Sequence, residues 1–183
     1  MANLEFTSSG LLRRATIADL DAVMALERRP GYGAFVGRSP RPEHEEMLAS
    51  SRYVYLLGLG DDGLAFAFAI LRDPGDPHGN LYLKRVAVDE PGQGRGVRFL
   101  AATLDWAFAS TTAHRFYLDC FVENFRARRA YEKLGFTRDG VLREAYLGPD
   151  GRRRDLALMA ITRPEWMVRT REPRIAGADP AAP

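Results

Sequence analysis

Cysteine, lysine and long apolar runs are scarce in this sequence, and each shortage excludes something. Cys120 is the only cysteine among 183 residues, so no intrachain disulfide can form and a cysteine-rich zinc site is excluded. A lone thiol suits a reducing compartment, and a cytoplasmic location is expected. No apolar run approaches the ~18 residues of a membrane-spanning helix. Glu5 and Ser8-Ser9-Gly10 stand where a signal peptide would carry its apolar core. The three histidines, His44, His78 and His114, lie far apart without ligand spacing, so no metal is expected. Charge is nearly balanced, 26 basic against 24 acidic residues for a net +2, which argues against DNA or a membrane surface as the main partner. Only Lys84 and Lys133 among the basic residues are lysines. No Gly-x-Ser-x-Gly nucleophile elbow is present.

What is present is enough apolar material for one packed domain: hydrophobic residues make up 46% of the chain and aromatic residues 10%. Strands are expected at Leu11–Ala15, Tyr53–Leu59, Leu64–Leu71, Leu81–Val88, Arg115–Val122, Phe136–Leu147 and Arg152–Thr162. Helices are expected at Ile17–Arg28, Glu43–Ala49, Phe99–Ser110 and Asn124–Lys133, the last closed by Gly135. Strand, helix and strand in sequence at the middle imply a parallel crossover, and the flanking hairpins are antiparallel. The expectation is an α/β fold with a mixed sheet of about seven strands and about four helices on its faces. Residues 1–10 read as an N-terminal extension, 11–168 as the domain, and 169–183, rich in Ala, Pro and Gly, as a flexible tail.

The chemistry concentrates between Asp89 and Gly96. Asp89-Glu90-Pro91-Gly92-Gln93-Gly94-Arg95-Gly96-Val97-Arg98 joins a strand to a helix. Glycines permit tight turning and close approach of the backbone to a ligand. A helix start offers unpaired N–H groups and a positive dipole end, which suits phosphate. On residues alone the segment reads either as a phosphate cradle or as a glycine-rich turn with two solvated arginines. It lacks the Gly-Lys-Ser/Thr of a Walker loop and the third glycine of a dinucleotide fingerprint. Asp119 is out of place on propensity in mid-strand, alternating with Tyr117 and Phe121. It reads as a catalytic base or as a paired surface carboxylate. Asn124 opens a helix as an N-cap, and Tyr131 alone would read as a core aromatic. Cys120, on the opposite face from Asp119, reads as a small buried thiol.

Gln93-Gly94-Arg95-Gly96-Val97-Arg98 resembles the acetyl-coenzyme A signature of the GNAT N-acetyltransferase superfamily, [Q/R]-x-x-G-x-[G/A]. Arg85-Val86-Ala87-Val88-Asp89 matches the strand leading into it, and Asn124 through Phe136 resembles the family's second motif at the family's spacing. Gly140-Val141-Leu142-Arg143-Glu144 is similar to the ribosomal-protein N-terminal acetyltransferase branch. The resemblance runs from about Leu11 to Trp166, with one departure: Arg98 stands at the Gly/Ala position.

The resemblance implies a sheet that splays between its two parallel central strands, here Leu81–Val88 and Arg115–Val122. Acetyl-CoA is the implied cosubstrate. Its pantetheine would bond to the backbone of Val86, Ala87 and Val88, and its phosphates would lie on Gln93, Gly94, Arg95, Gly96, Val97 and Arg98. Asn124 would contact pantetheine or substrate, Tyr131 would be the proton donor to the departing thiolate, and Asp119 the base. An α-amine with pKa near ~8 is about a tenth neutral at pH 7, and a lysine-like amine near ~10.4 is neutral in well under a thousandth of molecules, so proton removal must be assisted. The implied activity is direct acetyl transfer to a primary amine without a covalent enzyme intermediate. A protein N-terminal α-amine is the expected acceptor. A polyamine, aminoglycoside or amino acid is the alternative, as is a coenzyme A-sensing module without turnover. A homodimer is compatible with such folds.

Overall fold

The computed structural model describes residues 5–7, 10–33, 35–90 and 94–171. The elements run β1 (Glu5–Thr7), β2 (Gly10–Arg14), a 3-10 turn (Ile17–Asp19), α1 (Leu20–Glu27), α2 (Arg41–Ala49), β3 (Tyr53–Leu59), β4 (Ala65–Arg72), β5 (Asn80–Val88), α3 (Arg95–Ser110), β6 (Arg115–Phe121), α4 (Phe125–Lys133), β7 (Thr137–Leu147), β8 (Arg153–Thr162) and α5 (Arg163–Arg171). They form one eight-stranded sheet in the order β1-β2-β3-β4-β5-β6-β8-β7. Every described pairing is antiparallel except β5 with β6.

The mixed α/β architecture is the one the sequence implies, with one more strand and one more helix than expected. The extra strand, β1, pairs Glu5 with Leu12 inside the segment read as an extension. The extra helix, α5, occupies Arg163–Arg171, past the end of the last expected strand at Thr162 and into the tail expected from 169. Its start has a local cause. The Glu165 carboxylate accepts from both the Thr162 backbone N–H and the Thr162 hydroxyl at 2.7 Å, and Pro164 in the first turn has no N–H to leave unpaired.

Alternation along the central strands builds two cores. Val54 and Leu56 on β3, with Ala67, Ala69 and Leu71 on β4, face α3 and α4. Tyr55, Leu57 and Leu59, with Phe68 and Ile70, face α1 and α2. β3 and β4 are buried on both faces, so they read as continuous apolar runs. Each large side chain sequestered here, Phe68 and Leu56 among them, contributes roughly 1.5–3 kcal/mol. Arg163 fixes the far end of α3 by donating to the carbonyls of Phe108, Thr111 and Ala113 at 2.7, 3.0 and 2.8 Å.

Two irregularities position the site. β5 and β6 pair only over Asn80–Tyr82 and Arg115–Tyr117, then part, opening the sheet toward Val88 and Phe121. That is the splay the family resemblance implies. The second irregularity is a bulge in β5. Ile70 pairs with Arg85 and Leu71 with Leu83, which leaves Lys84 without a partner. The alternation changes phase there. Leu81 and Leu83 face the α3 side, but beyond the bulge Val86 and Val88 do.

Candidate active site

The splay opens into a cavity of about 810 Å³, within the size range of small-ligand pockets. One end lies at the start of α3. Gly94 precedes that helix with φ +73°, a left-handed conformation that disfavours any other residue. Arg98 N–H donates to the Gly94 carbonyl at 3.0 Å, whereas no side chain caps the N–H groups of the preceding turn among the described residues. No acidic residue lies in that first turn. The dipole end of a 16-residue helix is thus open to an anion. Gly96 lies against Val88, since a Cβ added to Gly96 would meet the Val88 methyls at 3.5–3.6 Å. The residues present therefore fit a pyrophosphate on α3 with an arm running along β5. On the opposite wall α4 adds Arg126, Arg129 and Lys133, a cationic edge.

The other end lies where β5 and β6 part. Asp119, on β6, receives a hydrogen bond from the Tyr82 hydroxyl, 2.7 Å to Oδ2. Burial and the Asp119 carboxylate push the Tyr82 hydroxyl pKa well above its ordinary value, so it stays a donor. The Tyr82 ring is tilted against Tyr117 at 5.0 Å, and the Arg72 guanidinium lies 4.6 Å from its centroid. Tyr131, on α4, is 6% exposed and still lines the cavity. Burial raises its hydroxyl pKa strongly, with Cys120 and Asp119 adding to the effect. Burial also pushes the Cys120 thiol up to about 11, so it is not a thiolate at neutral pH. Asn124 caps α4 by accepting from Ala127 N–H at 3.2 Å.

The cavity collects most of the residues singled out from sequence. Val86, Ala87, Val88, Gly94, Gly96 and Val97 line one wall, and Asn124, Asp119 and Tyr131 the other. Arg95 and Arg98 are not among its lining residues. Arg95 turns to Asp89 at 3.2 Å and stacks over Phe66 at 4.2 Å. Arg98 is exposed and bends back over Gly94. Gln93 lies outside the described residues.

The sequence singles out none of Tyr32, Phe35, Phe121, Tyr146, Tyr82 and Lys84 as site residues. Tyr32, in the loop after α1, donates to the Val88 carbonyl at 2.5 Å and ties that loop across the cleft. Phe35 meets Phe121 edge-on at 6.0 Å, and Phe121 meets Tyr146 at 4.9 Å, which makes an aromatic wall. Tyr82 and Lys84 stand on β5 at the opening. Tyr82 joins Asp119 through the parallel pairing of β5 with β6, a long-range relation that carries no local sequence signal.

A buried polar cluster holds this loop region to β5. The Glu27 carboxylate, fully buried, meets Arg85 at 2.8 Å, Arg28 at 2.6 Å, His44 at 3.3 Å and the Ser39 N–H at 3.2 Å. Burial alone would raise its pKa, but His44, Arg85 and the Ser39 N–H together hold it below the ordinary range. His44 Nδ1 lies 2.8 Å from the Tyr55 hydroxyl.

An anion-ready helix start and a carboxylate–tyrosine pair, joined by a cleft through a splayed sheet, are the marks of an acyl-CoA-dependent transferase. Residues 20–136 match the family described as "Acetyltransferase (GNAT) family", and the chain belongs to it. GNAT enzymes take acetyl-CoA as acyl donor. A curated relative, spermidine N(1)-acetyltransferase of Vibrio cholerae serotype O1, is 31% identical over 85 residues, which is 46% of this chain and 49% of the relative. The chain thus spans about half the length of that relative. Among solved structures, spermidine N-acetyltransferase from Vibrio cholerae in complex with CoA and spermine superposes with TM-score 0.77 at 20% identity, over 88% of this chain and 99% of that one. A further acetyltransferase crystal structure gives 0.74 at 24%, over 90% and 92%. At these identities the structures establish the fold. The finer likeness to the ribosomal-protein branch is not what these relatives carry. Two of them are named for spermidine.

Proposed function

We propose that this chain transfers an acetyl group from acetyl-CoA to a primary amine of a polyamine. The observation that carries the reading is one continuous cavity from the open start of α3 to Asp119 and Tyr131. The polyamine class rests on the relatives named for spermidine, which favours it over the protein N-terminus that the Gly140–Glu144 resemblance suggested. Aromatic rings at the opening, Tyr82, Phe35, Phe121 and Tyr146, give faces for alkylammonium groups.

In this reading the α3 N–H groups and the cationic edge of α4 hold the phosphates, and the β5 backbone beyond the bulge aligns the arm. Bound acetyl-CoA supplies an electrophilic thioester carbonyl at the opening. Asp119, oriented by Tyr82, takes the proton from the acceptor ammonium, directly or through a water. Tyr131, kept protonated by burial, gives a proton to the departing sulfur. Even a free tyrosine near ~10 is a weaker acid than a thiol near ~8.5, and burial weakens Tyr131 further, so that transfer completes late in the reaction. The domain read over 11–168 carries all of these groups. Its location is taken as cytoplasmic, and a homodimer is compatible with it.

The test is release of coenzyme A thiol from acetyl-CoA against spermidine, spermine, aminoglycosides, amino acids and peptides with free N-termini. Turnover on polyamines, cut about a hundredfold in Tyr131→Phe, is expected. Turnover on peptides alone would contradict the acceptor class. No turnover on any amine, with saturable acetyl-CoA binding retained, would point to a sensing module.

A further inference from the structure

Both lysines of this chain, Lys84 and Lys133, line the one cavity, although 24 of its 26 basic residues are arginines. They differ in setting. Lys133 closes α4 and is exposed. Lys84 is half-buried at the bulge of β5, where the sheet opens. The last parallel pair is Tyr82 with Tyr117, and Asp119, two residues beyond Tyr117 on the far side of the opening, acts on Lys84 electrostatically. Four charged groups act on it: Arg85 beside it, Arg72 from β4, Glu43 from α2 and Asp119 from β6. None of them forms an ion pair with it, and its ammonium has no hydrogen-bond partner among the described residues. A long, unpaired primary amine therefore shares the cavity with Asp119, the base in the proposed transfer.

We infer that Lys84 is itself an acetyl acceptor, acetylated within its own active site when no acceptor amine is present. The inference rests on the acetyl-transfer reading. Burial holds the Lys84 pKa below the ordinary lysine range, with Arg85 adding to the effect, and so enlarges the neutral fraction. The neutral Nζ donates its lone pair to the thioester carbonyl carbon. The C–N bond forms and the C–S bond breaks. The proton lost by nitrogen goes to Asp119, and the thiolate takes one from Tyr131. The products are an Nζ-acetyl amide and free coenzyme A thiol. The amide no longer carries the charge that opposes a polycationic acceptor. Arginines cannot substitute in this role, because the guanidinium stays protonated.

The experiment incubates the folded chain with acetyl-CoA alone, follows intact mass, and maps the modified peptide. One acetyl group is expected on Lys84, at a rate independent of protein concentration. The gain should be lost in K84R, lost in the chain unfolded by urea, and suppressed by excess spermidine. Mapping on the unsubstituted chain keeps the test valid if K84R folds poorly. No mass gain, a gain mapping to Lys133 or to the α-amine, or an equal rate in the unfolded chain would overturn the inference. A parallel thiol-release assay separates the two claims: turnover on spermidine by a chain whose Lys84 stays unmodified under acetyl-CoA alone overturns this inference only, whereas absence of acetyl-CoA binding overturns both.

Discussion

Tyr82 and Asp119 meet across the gap between β5 and β6, hydroxyl to carboxylate, at 2.7 Å. The two strands are hydrogen-bonded as a sheet only up to Tyr82 and Tyr117, so this side-chain bond stands where the backbone ladder stops. It fixes one oxygen of Asp119 and leaves the other free to face an acceptor. Asp119→Asn should lower kcat by about 10²–10⁴-fold, the usual contribution of a positioned base. Tyr82→Phe keeps the carboxylate but frees its orientation, and one lost charge-assisted bond should cost about tenfold. Acetyl-CoA affinity, measured by calorimetry, should stay within about twofold in both variants, because neither residue touches the α3 end. A large loss of cosubstrate affinity in Asp119→Asn would place that residue in binding instead of proton transfer.

Glu27 and Arg85 join α1 to β5 with almost no solvent access, the side chains being 0% and 9% exposed. Removing one partner of such a pair leaves a buried charge uncompensated. Glu27→Ala should therefore destabilise the fold by about 3–5 kcal/mol in chemical denaturation. Because Arg85 lines the cavity, KM for the acceptor should rise as well. A change under ~1 kcal/mol would mean that Arg28, Ser39 and water share the load more than the geometry suggests.

Asp19 gives a pH signature. Its carboxylate accepts from the Arg13 guanidinium at 2.7 and 2.8 Å and reaches back to the Thr16 N–H at 2.7 Å, opening the first helical turn. Those bonds, the Arg13 one foremost, lower its pKa to about 2. A depressed carboxylate stabilises the fold fully above its unfolded value near ~3.9, and that stabilisation is lost as pH falls through the folded value of about 2. Asp19→Asn should lose about 1 kcal/mol at neutral pH, a typical cap contribution. Denaturation midpoints of the two proteins should converge as pH drops from ~4 toward 2. A gap that stays constant over that window would assign the effect to packing.

Local signals were legible in the sequence, and long-range ones were not. Asn124 announces its helix because a cap acts within three residues, on Ala127. Tyr131 and Asp119 could be placed on a helix and a strand by spacing alone, and the family motifs gave them roles. Thr162-Arg163-Pro164-Glu165 carries the start signal of α5 just as plainly, yet the sequence reading placed no element after the strand ending at Thr162. The start of α3 was expected at Phe99 and lies at Arg95, because Gly94 and Gly96 carry no helical pattern of their own. The bulge at Lys84 depends on which residues of β4 it faces, and nothing local encodes that. The Glu27–Arg85 pair spans 58 residues, and Tyr32 reaches Val88 over 56, beyond any periodicity. Arg95 looked like a phosphate ligand from its place in the motif, but the nearer Asp89 takes its guanidinium.

The central claim is that the cleft between β5 and β6 holds acetyl-CoA from the start of α3 to Asp119. Backbone amide hydrogen exchange, with and without saturating acetyl-CoA, tests it most directly. Slowed exchange is expected in 85–88, in 95–98 and at the start of α4, with β1, β2 and α5 unchanged. Protection confined to α5 or β7, or no protection anywhere despite saturable binding, would contradict it.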